Sequence, residues 1–272
     1  MMRVVRLVSP QTHVAVAFHC APFADTIAAD MDRTRWLAEK RTEVARLGNV
    51  PVSEITPSRR DFRLHVTTQR QELAVIARIQ RIDPETQRAT SDAELLAHAA
   101  GCDDAEVAAI AVATDAQRGG SLELLRAVVN ATQAPVLRDD FVLAPNQLYD
   151  ARLHGADAAI IPAAEVDHET LAELVRVASS LHMAAIVEVE SAADLGKAVA
   201  VNQTVVGLNA DIDTMLDIAQ RVPPNRTVLA LREPDDFDTI LRLRGKVDAV
   251  SLGPMLPDGT EIARALARLN GS

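Results

Sequence analysis

From residue 73 onward the chain alternates between short, unbroken apolar runs and longer segments whose apolar residues recur three and four positions apart. The runs span 73–79, 107–113, 134–137, 158–162, 184–189, 205–208, 227–231 and 247–252. The amphipathic segments span 92–102, 121–132, 144–154, 167–182, 191–201, 212–222, 235–245 and 259–269. A strand covered by helices on both sides of its sheet reads as a continuous apolar run, because neither face meets water. Strand–helix alternation implies parallel pairing through right-handed crossovers. Eight units in roughly 200 residues predict an α/β protein, a single (β/α)8 TIM barrel. An open doubly wound sheet fits less well, since no Gly-x-Gly-x-x-Gly follows the first run.

Ahead of the barrel, residues 1–30 show no clear period and form an N-terminal extension of unknown structure; residues 31–272 hold the barrel and a leading helix. That helix is predicted over 31–47, with Trp36, Leu37, Val44 and Leu47 apolar among charges and Gly48 as its stop. The polar connection after it carries Arg59, Arg60 and Arg63, read as a solvated surface cluster.

Composition narrows the class. Of 272 residues 48% are apolar and 24% charged, which suits a globular chain able to bury a full core. Aromatics are only 3%, so the core must be built from Ala, Val, Leu and Ile. A net charge of −10 argues against a nucleic-acid partner. No apolar run approaches the ~18 residues of a membrane helix, and Val14 to Phe18 is too short for a secretory segment. Two cysteines, Cys20 and Cys102, fit a reducing compartment, and the expectation is a cytoplasmic protein. Twenty-five of the 28 basic residues are arginine; the lysines are Lys40, Lys197 and Lys246.

In such a barrel the chemistry lies at the C-terminal ends of the strands and in the loops beyond them. Those ends carry Arg78 and Gln80 on the first strand, Asp115 after the second and Asp139 on the third. The fourth ends in Pro162; the fifth leads to Glu188 and Glu190, the sixth to Asn209 and Asp211, the seventh to Arg232 and Glu233, the eighth to Gly253. Period-two alternation places Arg78 with Gln80, Glu188 with Glu190, and Asn209 with Asp211 on common faces. Polar groups there are costly to bury unpaired, so they mark a wet mouth or a paired network. Asp139, Glu188 and Asp211 offer oxygens to a hard cation, but carboxylates facing arginines form ion pairs, and no metal is expected. The histidines show no ligand spacing, and no nucleophile motif is present.

The segment Pro135-Val-Leu-Arg-Asp-Asp-Phe141 resembles the Pro-Val-Leu-Arg-Lys-Asp-Phe motif of indole-3-glycerol-phosphate synthases. Gln147, Tyr149, Ala151 and Gly155-Ala-Asp-Ala158 follow at that family's spacing. Val187-Glu-Val189, Gly207-Leu-Asn209 and Gly120-Ser-Leu122 resemble its Val-Glu-Val, Gly-Ile-Asn and Gly-Ser-Leu. The likeness runs from about residue 31 to the C-terminus and implies the barrel already inferred. It also implies an activity linked to tryptophan biosynthesis: the ring-closing decarboxylation of carboxyphenylamino-deoxyribulose phosphate, with no cofactor. By the resemblance Glu188 takes a proton during ring closure and Asn209 orients the substrate.

Several positions depart from the family. A lysine on the third strand is its general acid, and here that position is Asp139. The Ala-Glu-x-Lys of its first strand is Ala77-Arg-Ile-Gln80, and Asp83-Pro-Glu85 replaces Ser-Pro-Ser. None of the three lysines lies at a strand end where it could substitute. In the phosphate loops, Leu231-Arg-Glu233 replaces Glu-Ser-Gly, and Pro254, without an N–H, follows Gly253. Asp211 replaces an arginine that follows the sixth-strand asparagine. The expectation is a divergent member with altered or lost activity. Asp139, Glu188 and Asn209 are its catalytic candidates. Arg78, Gln80, Asp211, Arg232 and Gly253 would face a phosphorylated or carboxylated small molecule. The alternative is a non-catalytic homologue that binds a small anionic ligand or a partner protein. Glu188 and Asn209 would then persist as a structural network bonded to Arg78 or Arg232.

Overall fold

A computed structural model describes residues 6–9, 12–15, 26–48, 50–68, 73–83, 87–234 and 237–253. Eight parallel strands close into a barrel: β3 (Ala74–Ile79), β4 (Ala109–Ala113), β5 (Val136–Phe141), β6 (Ala158–Pro162), β7 (Ala184–Val189), β8 (Val205–Leu208), β9 (Thr227–Ala230) and β10 (Ala249–Leu252). Each pairs with its neighbours in sequence, and β10 closes the ring against β3 with Ala249 opposite Ala74. They are preceded by an antiparallel hairpin of β1 (Arg6–Ser9) and β2 (Thr12–Ala15), which the sequence pattern does not foretell. Among the described residues two α-helices precede the barrel, α1 (Thr26–Arg46) and α2 (Phe62–Thr68). Those between strands are α3 (Asp92–Asp104), α4 (Leu122–Ala131), α5 (Pro145–Leu153), α6 (His168–Ser180), α7 (Ala192–Ala200), α8 (Ile212–Arg221) and α9 (Phe237–Leu243). The predicted segment 259–269, together with Cys20, Pro254 and Glu85, lies outside the described residues. No helix among the described residues is long and apolar enough to cross a membrane.

Alternation along the strands builds two apolar layers. Val75 and Ala77 of β3, with Val112 of β4, face the outer helices. Ala74, Ile76, Ala109, Ala111, Leu137 and Ile186 fill the barrel interior. The many interior alanines leave room for Phe62 of α2 in the same cluster, along with Phe141. Gly207 of β8 is needed inside because a Cβ there would collide with Leu231 and stand 2.8 Å from Ile186 Cγ2. Helix α1 crosses the C-terminal end of the barrel, where Trp36 stacks on Phe141 with ring centroids 4.4 Å apart.

Two sequence expectations shift. The leading helix starts at Thr26 rather than Met31. The third strand continues past the apolar run that ends at Leu137 and reaches Phe141, so Arg138 and Asp140 join Asp139 as strand residues, all buried. Their charges are met inside: Arg138 Nε donates to Thr114 Oγ1 at 3.1 Å, and Lys40 Nζ of α1 donates to Asp140 Oδ2 at 2.6 Å.

In the arginine cluster after α1, Arg59 and Arg63 are exposed as expected, whereas Arg60 acts as a clamp. Arg60 donates to the carbonyls of Val129 (3.0 Å), Thr132 (3.0 Å) and Ala134 (3.2 Å). It thereby satisfies acceptors at the C-terminal end of α4, where a helix leaves carbonyls without partners. Arg63, though exposed, reaches Thr227 Oγ1 at 3.1 Å from Nε. Arg60→Ala is expected to lower stability by about 1–2 kcal/mol, read as a lower urea midpoint at an unchanged slope. An unmoved midpoint would return Arg60 to the role of a surface charge.

Candidate active site at the barrel mouth

A cavity of about 810 Å³ opens at the C-terminal end of the strands, beneath α1. Glu188, the fifth residue of β7, projects into it and is 4% exposed. Asn209, just beyond β8, donates from Nδ2 to Glu188 Oε1 at 2.7 Å. The second oxygen, Oε2, accepts from Arg33 Nη2 at 3.3 Å. The network partner is therefore an arginine of α1, not Arg78 or Arg232. Arg33 also pairs with Glu190 at 2.6 Å and lies 3.8 Å from Glu165, so one guanidinium ties three carboxylates of the β6 and β7 ends to the leading helix. Burial pushes the Glu188 carboxyl up to about 7, opposed by Arg33 and Asn209 and reinforced by Glu190. A carboxyl of that acidity can accept or release a proton near neutrality.

Asp139 faces the same cavity from β5 and is held between two guanidiniums, Arg78 Nε at 3.0 Å and Arg118 Nη1 at 2.6 Å. Burial alone would raise its pKa, but Arg118 and Arg78 outweigh burial and hold the carboxyl below the ordinary aspartate range. Arg118 is fixed in turn by Asp115 at 2.6 Å, and the two aspartates keep its guanidinium protonated against burial. Arg78 donates from Nη2 to the Leu231 carbonyl at 3.0 Å. Asp139 is thus a fixed anion with no proton to give.

The remaining candidates separate. Arg232 lines the cavity. Asp211 borders it but caps α8, accepting from the N–H groups of Asp213 (3.1 Å) and Thr214 (3.0 Å). Gln80 is buried outside the cavity lining, and its amide donates to the Ile82 carbonyl at 2.9 Å, because the chain turns back on itself after β3. Gly253 follows β10, and its N–H donates to Glu233 Oε1 at 2.8 Å. Asp139, Glu188 and Asp211 each have their own partners, and no cluster of metal-ligating side chains occurs among the described residues.

Sequence reasoning passed over Arg33, Arg118 and Trp36. Arg33 and Trp36 sit on an amphipathic helix, where charged and aromatic residues are ordinary. Arg118 had a readable signal: it follows Asp115 by three residues in the loop after the second strand, which opens on the mouth. The Trp36 indole N–H is buried without a hydrogen-bond partner in a residue that lines the cavity. A ligand acceptor placed there would satisfy it.

Comparison with known proteins gives a consistent picture. The family model for indole-3-glycerol phosphate synthase matches residues 25–269. An indole-3-glycerol phosphate synthase of Roseiflexus castenholzii is 32% identical over 262 residues, covering 87% of this chain and 97% of that protein. One of Verminephrobacter eiseniae is 34% identical over 259 residues, covering 86% and 96%. Among solved structures, orotidine 5'-phosphate decarboxylase of Pyrococcus horikoshii superposes with a TM-score of 0.56 at 14% identity, covering 72% of this chain and 99% of that one. At that identity the likeness speaks to the barrel fold alone.

Proposed function

The chain belongs to the indole-3-glycerol phosphate synthase family, and from that premise we propose a divergent member that has lost the family's ring-closing decarboxylation. In this reading it keeps Glu188 as a proton-exchanging group for a small molecule bound in the barrel mouth. The family's link is to tryptophan biosynthesis; the proposed divergence concerns the chemical step. One observation carries the reading: the position of the family's general-acid lysine holds Asp139, clamped as an anion between Arg78 and Arg118. A general acid must bring a proton within about 3 Å of its acceptor, and its removal costs about 10²–10⁴ in rate. Glu188 supports retained proton chemistry, being near-neutral, oriented by Asn209 and open to the cavity. The reading places the protein in the cytoplasm, in keeping with its cysteine content.

A second reading, a non-catalytic homologue that binds a small anionic ligand or a partner protein, is favoured by the Arg33 bridge. That bridge ties Glu188 to Glu190 and commits one of its oxygens.

The deciding experiment is a fluorescence assay for indole-glycerol phosphate formation from the family substrate at high enzyme concentration. A competent synthase serves as positive control and Glu188→Gln as internal control. Expected is a rate at least about 10³-fold below the control enzyme, unchanged by Glu188→Gln. Turnover that disappears in Glu188→Gln would overturn the proposal.

A further inference from the structure

Strands β9 and β10 are neighbours in the barrel, and residues of the loops that follow them, Glu233 and Gly253, are in contact. In this class of barrel those loops present backbone N–H groups to a phosphate. Here the N–H of Gly253 donates to Glu233 Oε1 at 2.8 Å. The carboxylate lies flat against the glycine: a Cβ built on Gly253 would collide with both Glu233 oxygens and with the carboxyl carbon. The space opened by the missing side chain is therefore filled, the donor is engaged, and a negative charge stands at the spot. A second anion-binding feature on the cavity rim is taken in the same way. The N-terminal amides of α8, from Asp213 and Thr214, are both bound by the Asp211 carboxylate. The next residue in the sequence after Gly253 is Pro254, which has no N–H to add.

We propose that Glu233 is a specificity-determining residue, an internal carboxylate that occupies the place of a ligand phosphate, so that the mouth admits small molecules without a phosphate and rejects phosphomonoesters. The inference rests on the reading of the barrel mouth as a ligand site, and it names the class of ligand. Like charges at contact repel, and Gly253 has only one N–H to give. Removing the carboxylate frees donor, space and charge together.

The test uses the full chain, labelled for amide NMR, and titrates inorganic phosphate into wild type, Glu233→Gly and Glu233→Ser. In wild type the Gly253 amide resonance is expected to stay in place through millimolar phosphate. In either variant it should move and saturate, with an affinity at least about tenfold tighter. The serine variant carries the test if the glycine variant does not fold. A wild-type Gly253 resonance that shifts with the same affinity as the variants would overturn the inference, as would two folded variants that show no shift. Neither result bears on turnover, so the loss of ring closure stands or falls separately by the fluorescence assay.

Discussion

Returning the family's lysine to position 139 is expected to destabilise the protein by about 3–5 kcal/mol or more, with no gain in synthase activity. Asp139 is buried against Arg78 and Arg118, and Arg118 is held in turn by Asp115. A lysine there would bring a third cation against two guanidiniums and leave Arg78 without its carboxylate. Breaking a buried ion pair costs far more than the pair contributes, because the surviving charge is left in a poor solvent. For a chain of this size the melting temperature should fall by about 10 °C. By the resemblance of the motifs the family has Glu and Lys at positions 78 and 139, and this chain has Arg and Asp, whose side chains meet at 3.0 Å. The pair in this chain thus carries the reverse of the charges that the resemblance implies for the two positions. Accordingly Arg78→Glu alone should also be strongly destabilising, since it sets two carboxylates face to face. The double variant, Arg78→Glu with Asp139→Lys, should recover about 2 kcal/mol relative to the sum of the singles. Urea denaturation of the four proteins closes the cycle. Additive losses would mean that the two positions do not sense each other, and the exchanged pair would be discarded.

That exchange explains what could be read in the chain and what could not. All eight barrel strands announce themselves, because a strand covered on both faces must be apolar throughout. The one substantial error in length, at β5, arises where the rule is broken: Arg138, Asp139 and Asp140 interrupt the apolar run. Their partners come from β3, from the β4–α4 loop and from α1, far away in sequence. That Glu188 and Asn209 lie at the barrel mouth was legible from strand order alone. The contact that unites them with Arg33 was not, since it spans 155 positions to a helix with no marking sequence signal. Gln80 and Asp211 sit where alternation puts them, yet local hydrogen bonds claim them first: a turn carbonyl for one and a helix N-terminus for the other. Alternation predicts a face, whereas short-range polar competition decides whether a side chain stays on it.

The Glu188→Gln variant is expected to gain stability over wild type as the pH rises, by about 3 kcal/mol between pH 4.5 and pH 8. The ordinary pKa of the carboxyl is 4.5, and in the folded protein burial raises it to about 7 against the pull of Arg33 and Asn209. Below 4.5 both folded and unfolded chains carry the proton, and the group contributes nothing to the pH dependence. Between 4.5 and 7 the folded protein retains a proton that the unfolded chain has released, so stability falls by about 1.4 kcal/mol per pH unit. Above 7 both forms are ionised and the loss is complete. A glutamine carries no titrating proton and escapes this slope, while groups common to the two proteins largely cancel in the difference. Asp139 does not imitate the effect, because its pKa is lowered and its contribution is lost only in acid below this window. The groups facing Glu188 are Arg33 from α1, Asn209 beyond β8 and Glu190 beyond β7. Denaturation midpoints of both proteins across pH 4.5–8 decide the matter. A difference that stays flat would mean that Glu188 is already ionised at the lowest pH. The carboxyl would then be a fixed anion, and the case for proton exchange at the barrel mouth would fall with it.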